Sequence, residues 1–222
     1  MVTIYWAGDS TAAQNSIATW PQTGIGQEFE RFLRGGVRVE NFALNGRSTK
    51  SFMDEGHLDA IAAQIQEGDF LFIQFGHNDE KDAPELHTDP DSTYPEFLSW
   101  YCDEAISRGA QPVLITPVSR RWWIPGPEML YTHGEYPAAV RKLAAERNIP
   151  LVDLKTTSRN LYLELGEEKC AELFVVIPKG ENPDFPEGHN DKTHFNAYGA
   201  EKIAGLVVDS LRTDARTAKY VK

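Results

Sequence analysis

The feature that most constrains the fold is a series of near-continuous apolar segments that alternate with amphipathic ones. The apolar segments have the length and the β-branched and aromatic content of buried strands, and they cover residues 2–7, 37–43, 70–75, 112–116 and 150–153. Helical patterns lie between and after them, at residues 26–33, 58–66, 94–108, 136–147 and 196–211. Strands that are apolar throughout are buried on both faces. The pattern therefore predicts an α/β fold, a three-layer α/β/α sandwich around a five-stranded parallel sheet.

The length of 222 residues suits one large domain, and we expect residues 1–222 to form it, because no repeat or low-complexity linker divides them. Two long polar segments interrupt the pattern. NDEKDAPELHTDPDST follows the third predicted strand, and KGENPDFPEGHNDKTH precedes the last predicted helix. Loops of that length in a compact domain are commonly functional.

Charge and composition exclude several classes of protein. With 33 acidic and 22 basic residues the formal net charge is -11, which disfavours nucleic acid and anionic membranes as partners. The two cysteines, Cys102 and Cys170, form neither a CxxC pair nor a zinc spacing. The chain begins almost directly with a predicted strand, without the pattern of a signal peptide. We therefore expect a cytoplasmic protein, or the mature form of an exported one.

Polar residues follow each of the first four predicted strands, where the segments GDST, LNGRSTKS, GHND and PVSRRWW occur. Open parallel sheets bind ligands at the carboxyl ends of their strands, so these segments are expected to meet at one edge. Ser10 lies in the first of them. Alone, it is better explained as a helix cap, for which serine is preferred, than as a nucleophile.

Together, the polar segments supply the groups that acyl transfer requires. His194 is a candidate base for the Ser10 hydroxyl, and Asp191, three residues earlier, is a candidate to orient the imidazole. The backbone N–H groups of Ser10 and Gly46 and the side-chain amide of Asn78 are candidate donors to an oxyanion. We expect Asp191 and His194 to lie on a turn that enters the last helix.

Several of these residues are also compatible with purely structural roles. Gly46 and Asn78 are typical turn residues, and His77 can line a pocket or make a structural hydrogen bond. A metal cluster of His189, Asp191 and His194 is disfavoured, because Asp191 already has a role beside His194.

The segments GDST, NGRSTKSF, GHND and DKTHFNAYGA resemble, in order, the four blocks of the SGNH (GDSL-like) hydrolases. This resemblance implies the flavodoxin-like SGNH fold, with Ser10, Asp191 and His194 as catalytic triad and Ser10, Gly46 and Asn78 as oxyanion donors. It also implies that no metal or organic cofactor is needed. The segments GDSTAA, NGRSTKSF, QFGHNDEK and THFNAYGA are most similar to the rhamnogalacturonan acetylesterases, which remove O-acetyl groups from pectin. Thr11 stands where many members of the superfamily have leucine, and the acetylesterases share this departure.

The expected substrate is therefore an O-acetylated pectic polysaccharide or oligosaccharide. Acetylated xylan, a lipid ester or thioester, and a purely carbohydrate-binding role are the alternatives. A further segment bears on the substrate, because tryptophan offers flat apolar faces to a sugar and arginine offers a paired donor to a carboxylate. Its residues, Arg120, Arg121, Trp122 and Trp123, are candidate substrate-binding residues together with His77. The alternative for this segment is a surface arginine pair beside core tryptophans.

Overall fold

The computed structural model describes residues 1–222 and contains nine strands and seven α-helices. The strands are β1 (Val2–Gly8), β2 (Val37–Asn41), β3 (Phe70–Gln74), β4 (Gln111–Ile115), β5 (Trp123–Ile124), β6 (Glu128–Met129), β7 (Leu151–Val152), β8 (Phe174–Ile177) and β9 (His189–Phe195). The α-helices are α1 (Ile25–Glu28), α2 (Thr49–Asp54), α3 (His57–Ala62), α4 (Thr93–Ser107), α5 (Tyr136–Glu146), α6 (Leu154–Ala171) and α7 (Ala197–Leu211). Short 3₁₀ turns occupy Ile17–Thr19, Phe29–Phe32 and Ala218–Tyr220.

Five strands form a parallel sheet in the order β2-β1-β3-β4-β7, as the apolar segments predict. Successive side chains of a strand point to opposite faces of the sheet, and both faces are buried here. In β1, Ile4 and Trp6 belong to one apolar core, which includes residues of α6 and α7. Tyr5 and Ala7 belong to the other core, which includes residues of α2, α3, α4 and α5. The expected three-layer arrangement is confirmed.

The register of the sheet brings the ends of neighbouring strands together. Gly8 at the end of β1 pairs with Gln74 at the end of β3, and Gln74 pairs with Ile115 at the end of β4. Trp6 pairs with Asn41, so the loop that follows β2 starts beside the same edge. The polar segments that follow these strands therefore leave the sheet at one edge.

Several local expectations were wrong. No helix follows Ser10, which lies in a turn, and residues 26–33 form a short α-helix and a 3₁₀ turn. Asp191 and His194 lie on strand β9, which pairs antiparallel with β8 outside the central sheet, rather than on a turn. The sequence of β9 does not show the alternation of apolar and polar residues that is typical of a half-buried strand, because most of its side chains are polar and only partly buried. None of the helices combines the length and the apolar character that crossing a membrane requires.

Candidate active site

Ser10 lies on a tight turn directly after β1, and the buried carboxylate of Asp9 organises this turn. Asp9 Oδ1 accepts hydrogen bonds from the backbone N–H of Thr11 at 2.9 Å and from its hydroxyl at 2.7 Å. The carbonyl of Asp9 accepts the N–H groups of Ala12 and Ala13, both at 3.1 Å. These bonds close a turn directly after the strand, which leaves the Ser10 side chain at the end of β1.

The Ser10 hydroxyl meets a histidine that is 184 positions further along the chain. Ser10 Oγ lies 2.9 Å from His194 Nε2, and His194 Nδ1 lies 2.8 Å from Asp191 Oδ2. The imidazole thus connects a hydroxyl with a carboxylate through its two nitrogens. This is the arrangement in which a histidine can take a proton from the hydroxyl while the carboxylate holds its tautomer.

Strand β9 fixes the Asp191 carboxylate from several directions. Its Oδ1 accepts the backbone N–H groups of Thr193 at 2.7 Å and of His194 at 2.8 Å. The imidazole of His189 lies 3.3 Å from Oδ2, on which the ring of His194 also converges. Burial alone would raise the pKa of Asp191, but the hydrogen bonds from the His194 ring and from the two backbone N–H groups outweigh it and hold the pKa well below its usual value. Asp191 is therefore ionised beside the imidazole.

Two backbone N–H groups beside Ser10 have no acceptor in the protein. They belong to Ser10 itself and to Gly46, in the loop after β2. Gly46 has a φ of +80°, in the left-handed region that favours glycine, so its conformation determines where its N–H points. Both groups are available to an oxygen that enters the cleft.

The side chain of Asn78, which follows β3, is held at both ends. Its Nδ2 donates to the carbonyl of Arg47 at 2.9 Å, and its Oδ1 accepts from Lys81 Nζ at 2.7 Å. These two bonds fix the plane of the amide and leave the second N–H of Nδ2 free. The structure thus brings Ser10, Gly46, Asn78 and His194 to the walls of one cleft.

The cleft has a volume of about 390 Å³, and none of the residues that line it is hydrophobic. They are Ser10, Gln22, Asn45, Gly46, His77, Asn78, Lys81, Arg120, Thr193 and His194. Since ligand pockets are usually lined mainly by apolar side chains, this lining suits a small group on a hydrophilic molecule. No group of three or more His, Cys, Asp and Glu side chains is arranged to hold a metal ion.

His77 lines the cleft and also supports the turn at Ser10. Its Nδ1 lies 3.2 Å from Oδ2 of Asp9, and only 3% of the residue is exposed. Burial lowers the pKa of His77, and the neighbouring Asp9 opposes this only in part. The ring packs edge-on against the buried His133, with 4.3 Å between the ring centroids. His77 therefore both lines a pocket and makes a structural hydrogen bond.

The two adjacent arginines occupy different environments. Arg120 lines the cleft, where it forms an ion pair with Glu80 and donates to the carbonyl of His77 at 3.4 Å. Arg121 is only 3% exposed, and its Nε donates to the carbonyl of Asp191 at 3.0 Å. Its guanidinium also bonds Asn190 and lies 5.1 Å from the centroid of the Phe174 ring. The expectation that Arg121 binds substrate is corrected, because its side chain is buried, does not line the cleft and donates to Asp191 and Asn190 of β9.

The two tryptophans of the same segment do not line the cleft. Trp123 pairs with Met129 in the short β5–β6 hairpin and packs against the core. Trp122 is 49% exposed on the same segment.

The sequence interpretation missed several residues of the cleft. Lys81 and Thr193 lie beside the predicted residues Asn78 and His194 in the chain, and this proximity was the signal that could have identified them. Asn45 directly precedes the predicted residue Gly46 and carries the same signal, whereas Gln22 follows no strand directly and carries none. Gln22 Nε2 lies 3.5 Å from the carbonyl of Ser10 and 3.4 Å from Oδ1 of Asn45.

Comparison with known proteins finds a matching family model and relatives at about 40% sequence identity. Residues 6–202 match the model of the GDSL-like Lipase/Acylhydrolase family. The chain is 41% identical over 210 residues to the rhamnogalacturonan acetylesterase RhgT of Bacillus subtilis, covering 95% of this chain and 89% of that protein. It is 40% identical over 210 residues to the probable rhamnogalacturonan acetylesterase YesY of the same organism, covering 94% and 92%.

Among solved structures, that of the Bacillus subtilis protein YxiM is similar, with a TM-score of 0.80 at 26% sequence identity. The match covers 96% of this chain and 56% of the YxiM chain, so this chain corresponds to about half of that protein.

Proposed function

Because the chain belongs to the GDSL-like lipase/acylhydrolase family, we propose that it removes O-acetyl groups from acetylated rhamnogalacturonan or its oligosaccharides. It is a carboxylic ester hydrolase, and its substrate is the proposed part. The observation that supports the proposal most strongly is the polar cleft beside the hydrogen-bonded pair of Ser10 and His194. Two relatives at 40% identity or more bear the same activity in their names.

In the first step of the proposed mechanism, Ser10 Oγ attacks the carbonyl carbon of the acetyl group. His194 Nε2, at 2.9 Å, takes the hydroxyl proton as the new C–O bond forms. The bond to the sugar oxygen then breaks, and the protonated imidazole returns the proton to that oxygen. The sugar leaves as an alcohol, and the acetyl group remains on Ser10.

In the second step, water repeats the reaction on the acetyl-enzyme. His194 takes a proton from water, the hydroxide adds to the acetyl carbon, and Ser10 Oγ leaves with the proton from the imidazole. Acetic acid is the product, and the enzyme returns to its starting state. The ionised Asp191 stabilises the imidazolium that forms in each step.

The carbonyl oxygen becomes negatively charged in both tetrahedral intermediates. The N–H groups of Ser10 and Gly46 and the free N–H of Asn78 Nδ2 are assigned to this oxygen. Donors that are fixed before the reaction need no reorganisation when charge develops, which is why such groups lower the barrier. Lys81 contributes by holding the amide oxygen of Asn78 at 2.7 Å.

The lining of the cleft also favours a short acyl chain and a hydrophilic leaving group. A lipid esterase or thioesterase needs an apolar surface along which a long acyl chain can lie, and no hydrophobic residue lines this cleft. An acetyl group requires little apolar surface. The polar walls instead offer hydrogen-bond partners to the hydroxyl groups of a sugar.

Two substrate series test the proposal. Acetate release is measured from O-acetylated rhamnogalacturonan oligosaccharides and from acetylated xylo-oligosaccharides, and kcat/KM is measured for 4-nitrophenyl esters from acetyl to octanoyl. We expect release mainly from the pectic substrate and a steep decline as the acyl chain lengthens. Release mainly from the xylo-oligosaccharides would indicate that acetylated xylan, rather than rhamnogalacturonan, is the substrate. A rise in kcat/KM toward octanoyl would indicate a lipid esterase.

A further inference from the structure

A second groove, the side groove, adjoins the cleft and takes no part in the mechanism above. It has a volume of about 600 Å³. One wall is the 3₁₀ turn Ile17–Thr19 with Trp20, and the other is the segment from Asn182 to Phe185. Gln22 lines both the side groove and the catalytic cleft. The side groove and the catalytic cleft therefore meet at Gln22.

Apolar side chains are unusually exposed on the walls of this groove. Ile17 is 89% exposed and Trp20 is 64% exposed. Single exposed apolar residues are common, but neighbouring ones in a concave site next to catalytic groups point to a ligand. Phe185 lies on the opposite wall.

Hydrogen bonds hold both walls in place. The hydroxyl of Thr19 donates to Oδ1 of Asn15 at 3.0 Å, and Asn45 of the cleft donates to the same oxygen at 3.1 Å. On the other wall, Oδ1 of Asn182 accepts the N–H of Asp184 at 2.8 Å, and the carbonyl of Asn182 accepts the N–H of Phe185 at 3.0 Å. The apolar faces are therefore presented by ordered turns.

The chemistry of the walls indicates what they bind. Trp20 and Phe185 offer flat apolar faces, and Asn182, Asp184 and Gln22 offer hydrogen-bond partners at the edges. A pyranose ring has the matching composition, with C–H groups on its faces and hydroxyl groups around its rim. No lysine or arginine lines the groove, and Asp184 is acidic, so an uncharged sugar fits better than an acidic one. Two cationic side chains, those of Lys81 and Arg120, lie near Ser10, and they line the catalytic cleft instead.

We propose that the side groove is a binding subsite for an uncharged sugar unit of the substrate chain, adjacent to the acetylated unit, with Trp20 packed against the face of its ring. This proposal rests on the proposed function, because it requires a carbohydrate substrate longer than one sugar. The subsite adds a contact that makes the enzyme prefer longer oligosaccharides. The acetylated unit itself occupies the cleft at Ser10.

The subsite has one more contact with the catalytic residues. Phe185 packs against the ring of His189, with 4.9 Å between centroids, and His189 lies 3.3 Å from Asp191 Oδ2. A change at Phe185 would therefore also disturb the carboxylate that orients His194. Trp20 has no such connection, which makes it the better position for a test.

The test compares Trp20→Ala with Trp100→Ala, a control that removes a 44% exposed tryptophan from α4, away from both the cleft and the side groove. KM and kcat are measured for 4-nitrophenyl acetate, an acetylated monosaccharide and acetylated oligosaccharides in which the neighbouring unit is uncharged or acidic. For Trp20→Ala we expect KM to rise about tenfold on the oligosaccharide with an uncharged neighbour, and the constants for the two small esters to stay within about twofold of wild type. Trp100→Ala should match wild type throughout.

Three outcomes would overturn the proposal, and they are distinguishable. An unchanged KM of Trp20→Ala on every oligosaccharide would contradict the subsite and leave the proposed function intact. A rise in KM only for oligosaccharides with an acidic neighbouring unit would contradict the assignment to an uncharged sugar. If the wild-type protein hydrolyses 4-nitrophenyl acetate but releases acetate from no oligosaccharide, the proposed function fails, and the subsite fails with it.

Discussion

His194 Nε2 lies 2.9 Å from Ser10 Oγ, although the two residues are 184 positions apart in the chain. Strand β9 provides the histidine and the turn that follows β1 provides the serine, so the contact depends on where β9, which pairs outside the central sheet, lies relative to that turn. Asp191 completes the arrangement by accepting hydrogen bonds from both the ring and the backbone of His194.

Asp191→Asn should lower kcat by about a thousandfold or more while the protein stays folded. The amide oxygen can replace the carboxylate oxygen that accepts the N–H groups of Thr193 and His194, but the amide nitrogen then faces His194 Nδ1. A donor at that position favours the tautomer that cannot take the Ser10 proton. The measurement is kcat for a small acetate ester with a thermal melt of each protein. Asp209→Asn, which changes an exposed aspartate of α7, is the control, and equal kcat values for the two variants would contradict this role.

Lys81→Met should lower kcat by about tenfold and leave KM for a small acetate ester nearly unchanged. Without the ammonium group at 2.7 Å from its Oδ1, the amide of Asn78 is held only by the carbonyl of Arg47. Lys81→Arg should recover part of the activity, because it restores a charged donor. The control is Lys142→Met, which removes an exposed lysine of α5. A change in KM alone would assign Lys81 to substrate binding and contradict the positioning of Asn78.

Arg121→Ala should lower the melting temperature by about 5–10 °C and reduce turnover of small and large acetate esters by the same factor. The guanidinium supports strand β9 through Asp191 and Asn190, so its loss loosens the strand that holds His194. Arg31→Ala removes an exposed guanidinium and serves as the control for stability. A loss confined to acidic oligosaccharides, without a change in melting temperature, would restore a substrate contact for Arg121.

Lys155→Met should change how stability depends on pH. Lys155 is 0% exposed, its Nζ donates to the hydroxyl of Thr132 at 2.9 Å, and burial lowers its pKa from 10.5 to about 7. Between these two values the unfolded chain binds a proton that the folded protein does not, so this group makes the free energy of unfolding rise with pH by about 1.4 kcal/mol per unit. Below pH 7 and above pH 10.5 it adds no slope.

Urea unfolding of wild type and Lys155→Met from pH 6 to pH 10 measures this contribution, because the other titrating groups are common to both proteins. The difference in the free energy of unfolding, wild type minus variant, should increase from about pH 7 upward. Parallel curves would show that the folded protein keeps Lys155 charged throughout that range.

Much of the central sheet could be predicted because its strands are buried on both faces and are therefore apolar throughout. Strand β9 could not, since its residues are mostly polar and it pairs outside that sheet. Helix α6 was also missed; Gly166, with a φ of +75°, interrupts it, and its sequence is highly charged.

The site was predictable to the extent that local sequence determines it. Ser10, Gly46, Asn78 and His194 lie in short segments that leave the sheet edge or precede α7, and all four reach one cleft. Local sequence does not determine the environments of Arg120 and Arg121. Neighbouring side chains of an extended segment point to opposite sides, and only the packing of β9 decides which arginine is buried. Trp20 and Gln22 follow no strand of the sheet, so their position beside the cleft depends on the fold.

The proposed mechanism is tested most directly by the rate of acetate release from O-acetylated rhamnogalacturonan oligosaccharides by the wild-type protein and by Ser10→Ala. We expect steady release by wild type and a rate at least about a thousandfold lower for the variant, because the hydroxyl that forms the acetyl-enzyme is absent. Release by Ser10→Ala at a rate close to that of wild type would contradict the assignment of Ser10 as the nucleophile.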